Sequence, residues 1–76
     1  MMLQKWNRQK KLYEPYEIPD TWNVSLIERD MKKIVNCVEC GKELPFGETL
    51  TSRLVHNKNG FGYGVCLDCY YKEHKD

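Results

Sequence analysis

The sequence predicts a small α+β domain that is held together by a bound metal ion. The chain has 76 residues, and a chain of this length buries too little apolar surface to be stable without a further constraint. Its four cysteines form two matched pairs, Cys37-Val-Glu-Cys40 and Cys66-Leu-Asp-Cys69. The first pair lies on a glycine-containing turn. The pattern of a β-hairpin follows it, and the pattern of a helix begins at the second pair.

Each cysteine pair places two thiols on one tight turn, and 25 residues separate the two pairs. This spacing is typical of a tetrahedral site in which four thiolates bind one structural zinc ion. The predicted ligands are Cys37, Cys40, Cys66 and Cys69. Two disulfides, a redox-active dithiol and an iron site of the rubredoxin type are the alternatives.

Three observations favour zinc over these alternatives. Structural disulfides are typical of secreted proteins, and residues 1–11 contain no apolar run of the kind found in a signal peptide. A thioredoxin-like dithiol uses a single pair in a βαβ unit. Only the first pair is followed by a glycine, Gly41, whereas a rubredoxin-type site is alike at both pairs.

Residues 36–76 are predicted to form the zinc-finger module. The turn at Cys37–Lys42 has the sequence of a zinc knuckle. Thr49–His56 and Phe61–Val65 are predicted strands, joined by an Asn-Lys-Asn-Gly turn. A helix then begins at Cys66. A knuckle, a hairpin and a helix in this order predict a treble-clef-like zinc finger, and a plain zinc ribbon with a second knuckle is the alternative.

The C-terminal helix is expected to bury one apolar stripe. The stripe occupies positions i, i+3, i+4 and i+7 and consists of Leu67, Tyr70, Tyr71 and His74. The opposite, solvent-exposed side is expected to carry Lys72, Glu73, Lys75 and Asp76. Because both cysteines of the second pair fall in the first turn, their thiolates would lie beside the positive end of the helix dipole.

Residues 1–35 are predicted to form an aromatic extension that packs on this module within one compact domain. Met1–Lys11 is basic and is expected to be a solvated, partly frayed terminus. Leu12–Trp22 is expected to lie extended with its rings buried, because two prolines exclude a continuous helix. Ser25–Val35 is predicted to be a short helix that begins with a capping box. Its apolar stripe consists of Ile27, Met31, Ile34 and Val35.

The charge of the chain argues against a protein that binds nucleic acid mainly through phosphate contacts. The formal charge of +1 becomes −1 with zinc bound, because four thiolates outweigh the charge of the ion by two. Nucleic-acid binders usually have a basic surplus. Nucleic-acid binding is still the second hypothesis. Phosphate contacts would come from Lys5, Arg8, Lys10, Lys11, Lys32, Lys33 and Arg53, and base stacking from Phe61 or Tyr63.

A degenerate nuclease of the HNH type is the remote third hypothesis, since such enzymes also build on a zinc-stapled hairpin and helix. That chemistry needs a histidine base beside a second metal ligand. His56-Asn57 is the only pattern of this kind between the cysteine pairs. Neither His56 nor His74 is needed as a zinc ligand, because four thiolates complete the coordination shell. We therefore predict that the chain is not an enzyme.

Several stretches carry a resemblance to known proteins: Asn36-Cys37-Val38-Glu39-Cys40-Gly41-Lys42, Pro45-Phe46-Gly47-Glu48-Thr49, Thr51-Ser52, His56, Gly60-Phe61-Gly62-Tyr63-Gly64-Val65-Cys66 and Cys69-Tyr70, with Tyr13–Asn23 upstream. In these stretches the chain resembles a group of small, largely uncharacterised four-cysteine zinc-finger proteins that phages, prophages and mobile elements of Gram-positive bacteria encode. The resemblance implies an accessory protein that acts in the bacterial cytoplasm by binding a host or phage component.

The leading prediction of function is a zinc-stabilised module that binds and modulates another protein. No small-molecule substrate and no membrane contact are expected. Tyrosine and tryptophan are common anchors of protein interfaces, because they offer large contact areas at low entropic cost. The predicted partner-binding residues are Trp6, Tyr13, Tyr16, Trp22, Phe61 and Tyr63.

Overall fold

The computed structural model describes residues 1–74, in which six strands form two antiparallel sheets and the last element is a helix. In chain order the elements are β1 (Met2–Asn7), β2 (Leu12–Glu17), β3 (Ile34–Asn36), β4 (Glu43–Pro45), a 3₁₀ turn (Phe46–Glu48), β5 (Leu50–His56), β6 (Gly62–Val65) and α1 (Leu67–Glu73). The larger sheet has the order β2-β1-β5-β6, and β3 pairs with β4. The predicted α+β class is confirmed. No helix within residues 1–74 has the length and apolar character needed to cross a lipid bilayer.

The basic N-terminal segment is a strand, so the prediction of a frayed terminus is wrong. β1 pairs with β2 over its whole length. Asn7 closes the turn between them, because its side-chain oxygen accepts hydrogen bonds of 3.0 Å from the backbone N–H groups of Gln9 and Lys10. Pro15 is tolerated because β2 is an edge strand, where a missing N–H costs no ladder bond.

The N-terminal hairpin and the cysteine-containing part of the chain share one sheet. β1 pairs with β5 at Gln4 opposite His56 and at Lys5 opposite Val55. Three of the four cysteines lie in the buried cluster, which consists of Leu3, Ile18, Cys37, Val38, Leu44, Val55, Tyr63, Val65, Cys66 and Cys69. Apolar side chains from both halves of the chain therefore surround the cysteines.

Ser25–Val35 is not a helix, and this prediction is also wrong. The Ser25 hydroxyl donates to the carbonyl of Ile27 at 3.1 Å instead of capping a helix. The Glu28 carboxylate accepts from the next two backbone N–H groups and so closes a local turn. Ile27 is 86% exposed, and no continuous apolar stripe is buried. Side chains that satisfy turns compete with helix formation at such positions.

Tertiary hydrogen bonds explain why this segment adopts an irregular path. The carbonyl of Ser25 accepts from the N–H of Gly64 at 3.1 Å, which ties the segment to β6. The carbonyl of Met31 accepts from Gly47, and that of Lys33 accepts from Phe46. Carbonyls that a helix would use internally are therefore bonded to other parts of the chain.

The predicted hairpin and C-terminal helix are confirmed, but the buried face of the helix differs from the prediction. Leu67 is 51% exposed and Tyr71 is 61% exposed, whereas Cys69 and Glu73 are buried. The cysteine ligands decide this orientation, because the face that carries Cys66 and Cys69 must point into the core. Lys75 and Asp76, predicted to be exposed, lie outside the described residues.

Candidate metal centre

The four cysteine sulfurs are positioned to bind one metal ion. The Sγ atoms of Cys37, Cys40, Cys66 and Cys69 all lie within 4.8 Å of one another, and those of Cys40 and Cys66 are 3.7 Å apart. Tetrahedral coordination with metal–sulfur bonds of about 2.3 Å places sulfurs about 3.8 Å apart. Four thiolates are also a donor set that soft and borderline metals prefer. The pairing of the two cysteine turns predicted from the sequence is thus present.

The first cysteine pair lies on the turn between β3 and β4. Cys37 donates its backbone N–H to the carbonyl of Lys42 at 2.8 Å and accepts from Gly41 at 2.9 Å. Gly41 has a φ of +81°, a conformation that costs little only for glycine. The side-chain amide of Asn36 also donates to the Gly41 carbonyl at 2.9 Å. The left-handed conformation predicted for Gly41 is therefore present.

The second cysteine pair lies at the start of α1. Cys66 occupies the N-cap position without a side-chain capping hydrogen bond, and its carbonyl accepts from the N–H of Tyr70 at 2.9 Å. Cys69 lies in the first turn, so both ligands of the second pair come from the N-terminal end of α1. β6 leads directly into this pair, and the Gly64 carbonyl accepts from the N–H of Val38 at 3.1 Å. This bond joins the first cysteine turn to the strand that carries the second.

The surroundings affect the four thiols differently. Burial alone would raise the pKa of Cys37, but backbone N–H groups of Cys66, Cys40 and Glu39 donate to its sulfur, and the pKa is lowered. Burial is the main cause that raises the pKa of Cys40 and of Cys69. A divalent cation among these sulfurs would lower the pKa values of its ligands, since it stabilises the thiolate form.

Two carboxyl groups that the sequence does not predict as a pair, Glu39 and Glu73, line the same cavity as Cys40 and Cys69. Burial, followed by a hydrogen bond to Glu73 and its negative charge, raises the pKa of Glu39 to about 7. The ammonium of Lys5, 3.2 Å from Glu39 Oε1, acts in the opposite direction. Two carboxyl groups in contact favour the form in which they share a proton.

Glu73 anchors the end of α1 to β5. Its Oε2 accepts from the hydroxyl of Ser52 at 2.6 Å, and its Oε1 accepts from the backbone N–H of Arg53 at 2.7 Å. It is only 3% exposed, so the prediction that Glu73 faces solvent is wrong. Its helical position offered a signal, because it follows Cys69 by four residues and Cys66 by seven, which places all three on one face.

The predicted partner-binding aromatic residues occupy different environments. Trp6 and Tyr13 face each other across β1 and β2 with ring centroids 5.0 Å apart, and Tyr13 also contacts the His56 ring. Phe61 is 64% exposed. Tyr63 is buried in the core, so it cannot contribute to a partner-binding surface or to base stacking.

Tyr16 and Trp22 support the first cysteine turn. The Tyr16 hydroxyl donates to the carbonyl of Val38 at 3.0 Å. The Trp22 ring lies over Gly41 so closely that a Cβ there would be 2.5 Å from a ring carbon. Both rings pack against the core while remaining partly exposed. The prediction that the rings of Leu12–Trp22 are buried holds only in part, because Tyr16 and Trp22 are half-buried and Tyr13 is exposed.

Comparison of the chain with protein-family models, with curated proteins and with solved structures finds no match. Two features of the structure bear on function: the four cysteine sulfurs that lie close together, and the large apolar side chains that are exposed to solvent.

Proposed function

We propose that this chain is a zinc-stabilised, non-enzymatic module that binds another protein. Zinc is the ion proposed because four thiolates at tetrahedral spacing form a common structural zinc site. Four protein ligands leave no open position on the ion for a substrate or an activated water. The ion would therefore stabilise the fold and would not take part in a reaction.

We further propose that the cysteine-containing part is a treble-clef zinc finger. The first pair lies on a turn between two short strands, β5 and β6 follow as a hairpin, and the second pair opens α1. A zinc ribbon would have a second knuckle in place of the helix, and Cys66 instead caps α1. The order and the ligand positions both support the treble-clef assignment.

An exposed apolar surface carries the protein-binding proposal. Ile27 and Phe61, which are 86% and 64% exposed, line one cavity of about 270 Å³ together with Leu26, Thr51 and Gly62. Burying apolar side chains of this size on a partner contributes about 1.5–3 kcal/mol each. We call Leu26, Ile27 and Phe61 the apolar patch. The proposed occupant is an apolar segment of another protein.

Nucleic-acid binding receives less support, because several of its candidate phosphate contacts are already paired with carboxylates. Lys5 contacts Glu39 at 3.2 Å, and Lys10 contacts Glu14 at 3.3 Å. Lys33 contacts Glu28 at 3.0 Å. Each pair lowers the positive potential that phosphates would meet.

The nuclease hypothesis also receives less support. His56 would have to act as a general base, but its Nδ1 lies 3.1 Å from the hydroxyl of Tyr13. The same ring lies edge-on to the Tyr13 ring, with centroids 5.6 Å apart. These contacts are those of a residue that packs the exposed face of the sheet.

The resemblance of residues 36–70 to zinc-finger proteins of phages and mobile elements supports a further proposal about context. In that context the chain would be a cytoplasmic accessory protein, and its partner would be a host or phage protein. The apolar patch, which includes Phe61 from the resembling stretch, is the surface that would contact it.

A capture experiment with matched variants tests the protein-binding proposal. Tagged wild type, an Ile27→Ser/Phe61→Ser variant and a Lys58→Ser control would be exposed to a Gram-positive host lysate at low and at high salt. A partner retained by wild type and the control, but lost by the patch variant, supports the proposal. Retention that disappears on nuclease treatment, or that falls steeply with salt, would support the nucleic-acid hypothesis instead.

A further inference from the structure

We infer that Cys40 is an oxidation-sensitive ligand of the metal centre, and that peroxide links it to Cys66 through a disulfide. This inference depends on the proposed zinc site and adds a means of regulating it. The link would join the two cysteine turns and release the ion.

Accessibility distinguishes Cys40 from the other ligands. Cys40 is exposed, whereas Cys37, Cys66 and Cys69 are buried. Cys40 also borders a cavity of about 350 Å³, which the buried Cys69 and the carboxyl groups of Glu39 and Glu73 line as well, so the exposure of Cys40 is what sets it apart. A small oxidant can reach this side chain from solvent, and reactive cysteines are typically accessible.

The neighbouring sulfur identifies the product. In the first step, the Cys40 thiolate attacks one oxygen of hydrogen peroxide, the O–O bond breaks, and a sulfenic acid and hydroxide form. In the second, the Cys66 thiolate, 3.7 Å away, attacks the sulfenic sulfur, the S–S bond forms, and a second hydroxide leaves. Two protons convert these hydroxides into two waters, and one peroxide is reduced for each disulfide.

The sequence makes the disulfide easy to locate. Glu39 lies immediately before Cys40, and Asp68 lies immediately before Cys69. A protease that cleaves after glutamate and aspartate therefore separates all four cysteines into different peptides. The experiment treats zinc-loaded wild-type protein with one equivalent of hydrogen peroxide, alkylates the remaining thiols, digests, and identifies linked peptides by mass spectrometry. Zinc release is followed with a chelating dye.

The expected product is a Cys40–Cys66 peptide that is about five-fold or more in excess over any other linkage, formed together with zinc release. Reduction and added zinc should restore the original mass. Predominant Cys37–Cys40 or Cys66–Cys69 linkage would overturn the inference, and so would retention of four free thiols. A Cys40→His variant keeps four zinc ligands and should release zinc about ten-fold more slowly than wild type on treatment with peroxide. An unchanged rate would contradict the inference that Cys40 is the ligand that is oxidised.

Native mass spectrometry before oxidation separates the two proposals. Untreated protein without a bound ion would contradict the proposed zinc site, while the linkage map would still test the pairing of Cys40 with Cys66. Untreated protein with one zinc, followed by a different linkage, would contradict only the inference about oxidation.

Discussion

The hydroxyl of Ser52 donates a buried hydrogen bond of 2.6 Å to Glu73. Ser52 belongs to β5 and Glu73 ends α1, so this bond fixes the helix against the sheet. The Ser52 oxygen in turn accepts from the backbone N–H groups of Leu54 and Val55, at 3.1 and 2.9 Å. These bonds satisfy the backbone at the irregularity in the β5–β6 pairing, which lies between Thr51 and His56. The C-terminal end of the helix that carries the second cysteine pair is thus held against the sheet.

Glu73→Ala should destabilise the zinc-loaded protein by about 2–4 kcal/mol, because it leaves the Ser52 hydroxyl and the Arg53 N–H unpaired in a buried site. Lys72→Ala, on the exposed side of the same helix, is the matched control and should cost less than about 0.5 kcal/mol. Urea unfolding in excess zinc measures both. Equal effects of the two substitutions would contradict the anchoring role.

Gly41→Ala should destabilise the protein more than Gly60→Ala does. Both glycines have positive φ, +81° and +89°, so alanine costs about 1 kcal/mol of backbone strain at either position. At Gly41 the new Cβ would also meet the Trp22 ring at 2.5 Å, whereas nothing lies within 4 Å at Gly60. We expect an additional cost of about 1–3 kcal/mol at Gly41, as in other overpacked sites. Thermal unfolding of the two variants provides the comparison, and equal melting temperatures would show that the Trp22 contact is unimportant.

The stability contribution of Glu39 should depend on pH. Its pKa of about 7 in the folded protein lies above the ordinary value of 4.5. Between these values the folded state binds more protons than the unfolded state, so this group's contribution to stability falls as the pH rises from about 4.5 to about 7. Glu39→Gln holds the side chain neutral. The variant should therefore gain about 1 kcal/mol relative to wild type between about pH 5 and about pH 8, a value reduced for solvent screening.

The measurement compares the unfolding free energies of Glu39→Gln and wild type at the same zinc concentration. The pH dependence of zinc binding then affects both proteins equally and cancels in the difference. Glu43→Gln, which makes the same change at an exposed position, is the control for the effect of the substitution itself. A Glu39→Gln difference that does not change with pH would show that Glu39 has an ordinary pKa.

Replacing any one of the four cysteines by serine should unfold the protein, since the binding free energy of a structural zinc is folding free energy in a domain of this size. Cys66→Ser is the most informative case, because Cys66 occupies the N-cap position of α1, where serine is favoured, so a loss of folding would reflect the lost thiolate. The expected result is the loss of dispersed amide signals in the NMR spectrum. Wild-type protein treated with a zinc chelator should lose these signals in the same way. Dispersed signals from zinc-free Cys66→Ser protein would show that the apolar core is sufficient for folding.

The features that the sequence predicted correctly are those whose causes are local. The cysteine spacing predicted two ligand turns, and Gly41 indicated the left-handed position that closes the first of them. The hairpin of β5 and β6 followed from a run of strand-forming residues and an Asn- and Gly-rich turn. The start of α1 at the second pair was predicted as well.

Tertiary structure decided the features whose causes lie far away in the chain. Met2–Asn7 is a strand because it pairs along its whole length with β2 and, at Gln4 and Lys5, with β5. The pairing with β5, an element about 50 residues away, leaves no local signature in the sequence. Ser25–Val35 has a helical pattern, yet hydrogen bonds to β6 and to Phe46 and Gly47 hold its backbone in another path. The sequence pattern places Glu73 on the exposed side of the helix, but Ser52 and Arg53 of β5 donate hydrogen bonds to its carboxylate and it is buried. Short-range propensities amount to a few tenths of a kcal/mol per residue, and burial and long-range hydrogen bonds exceed them.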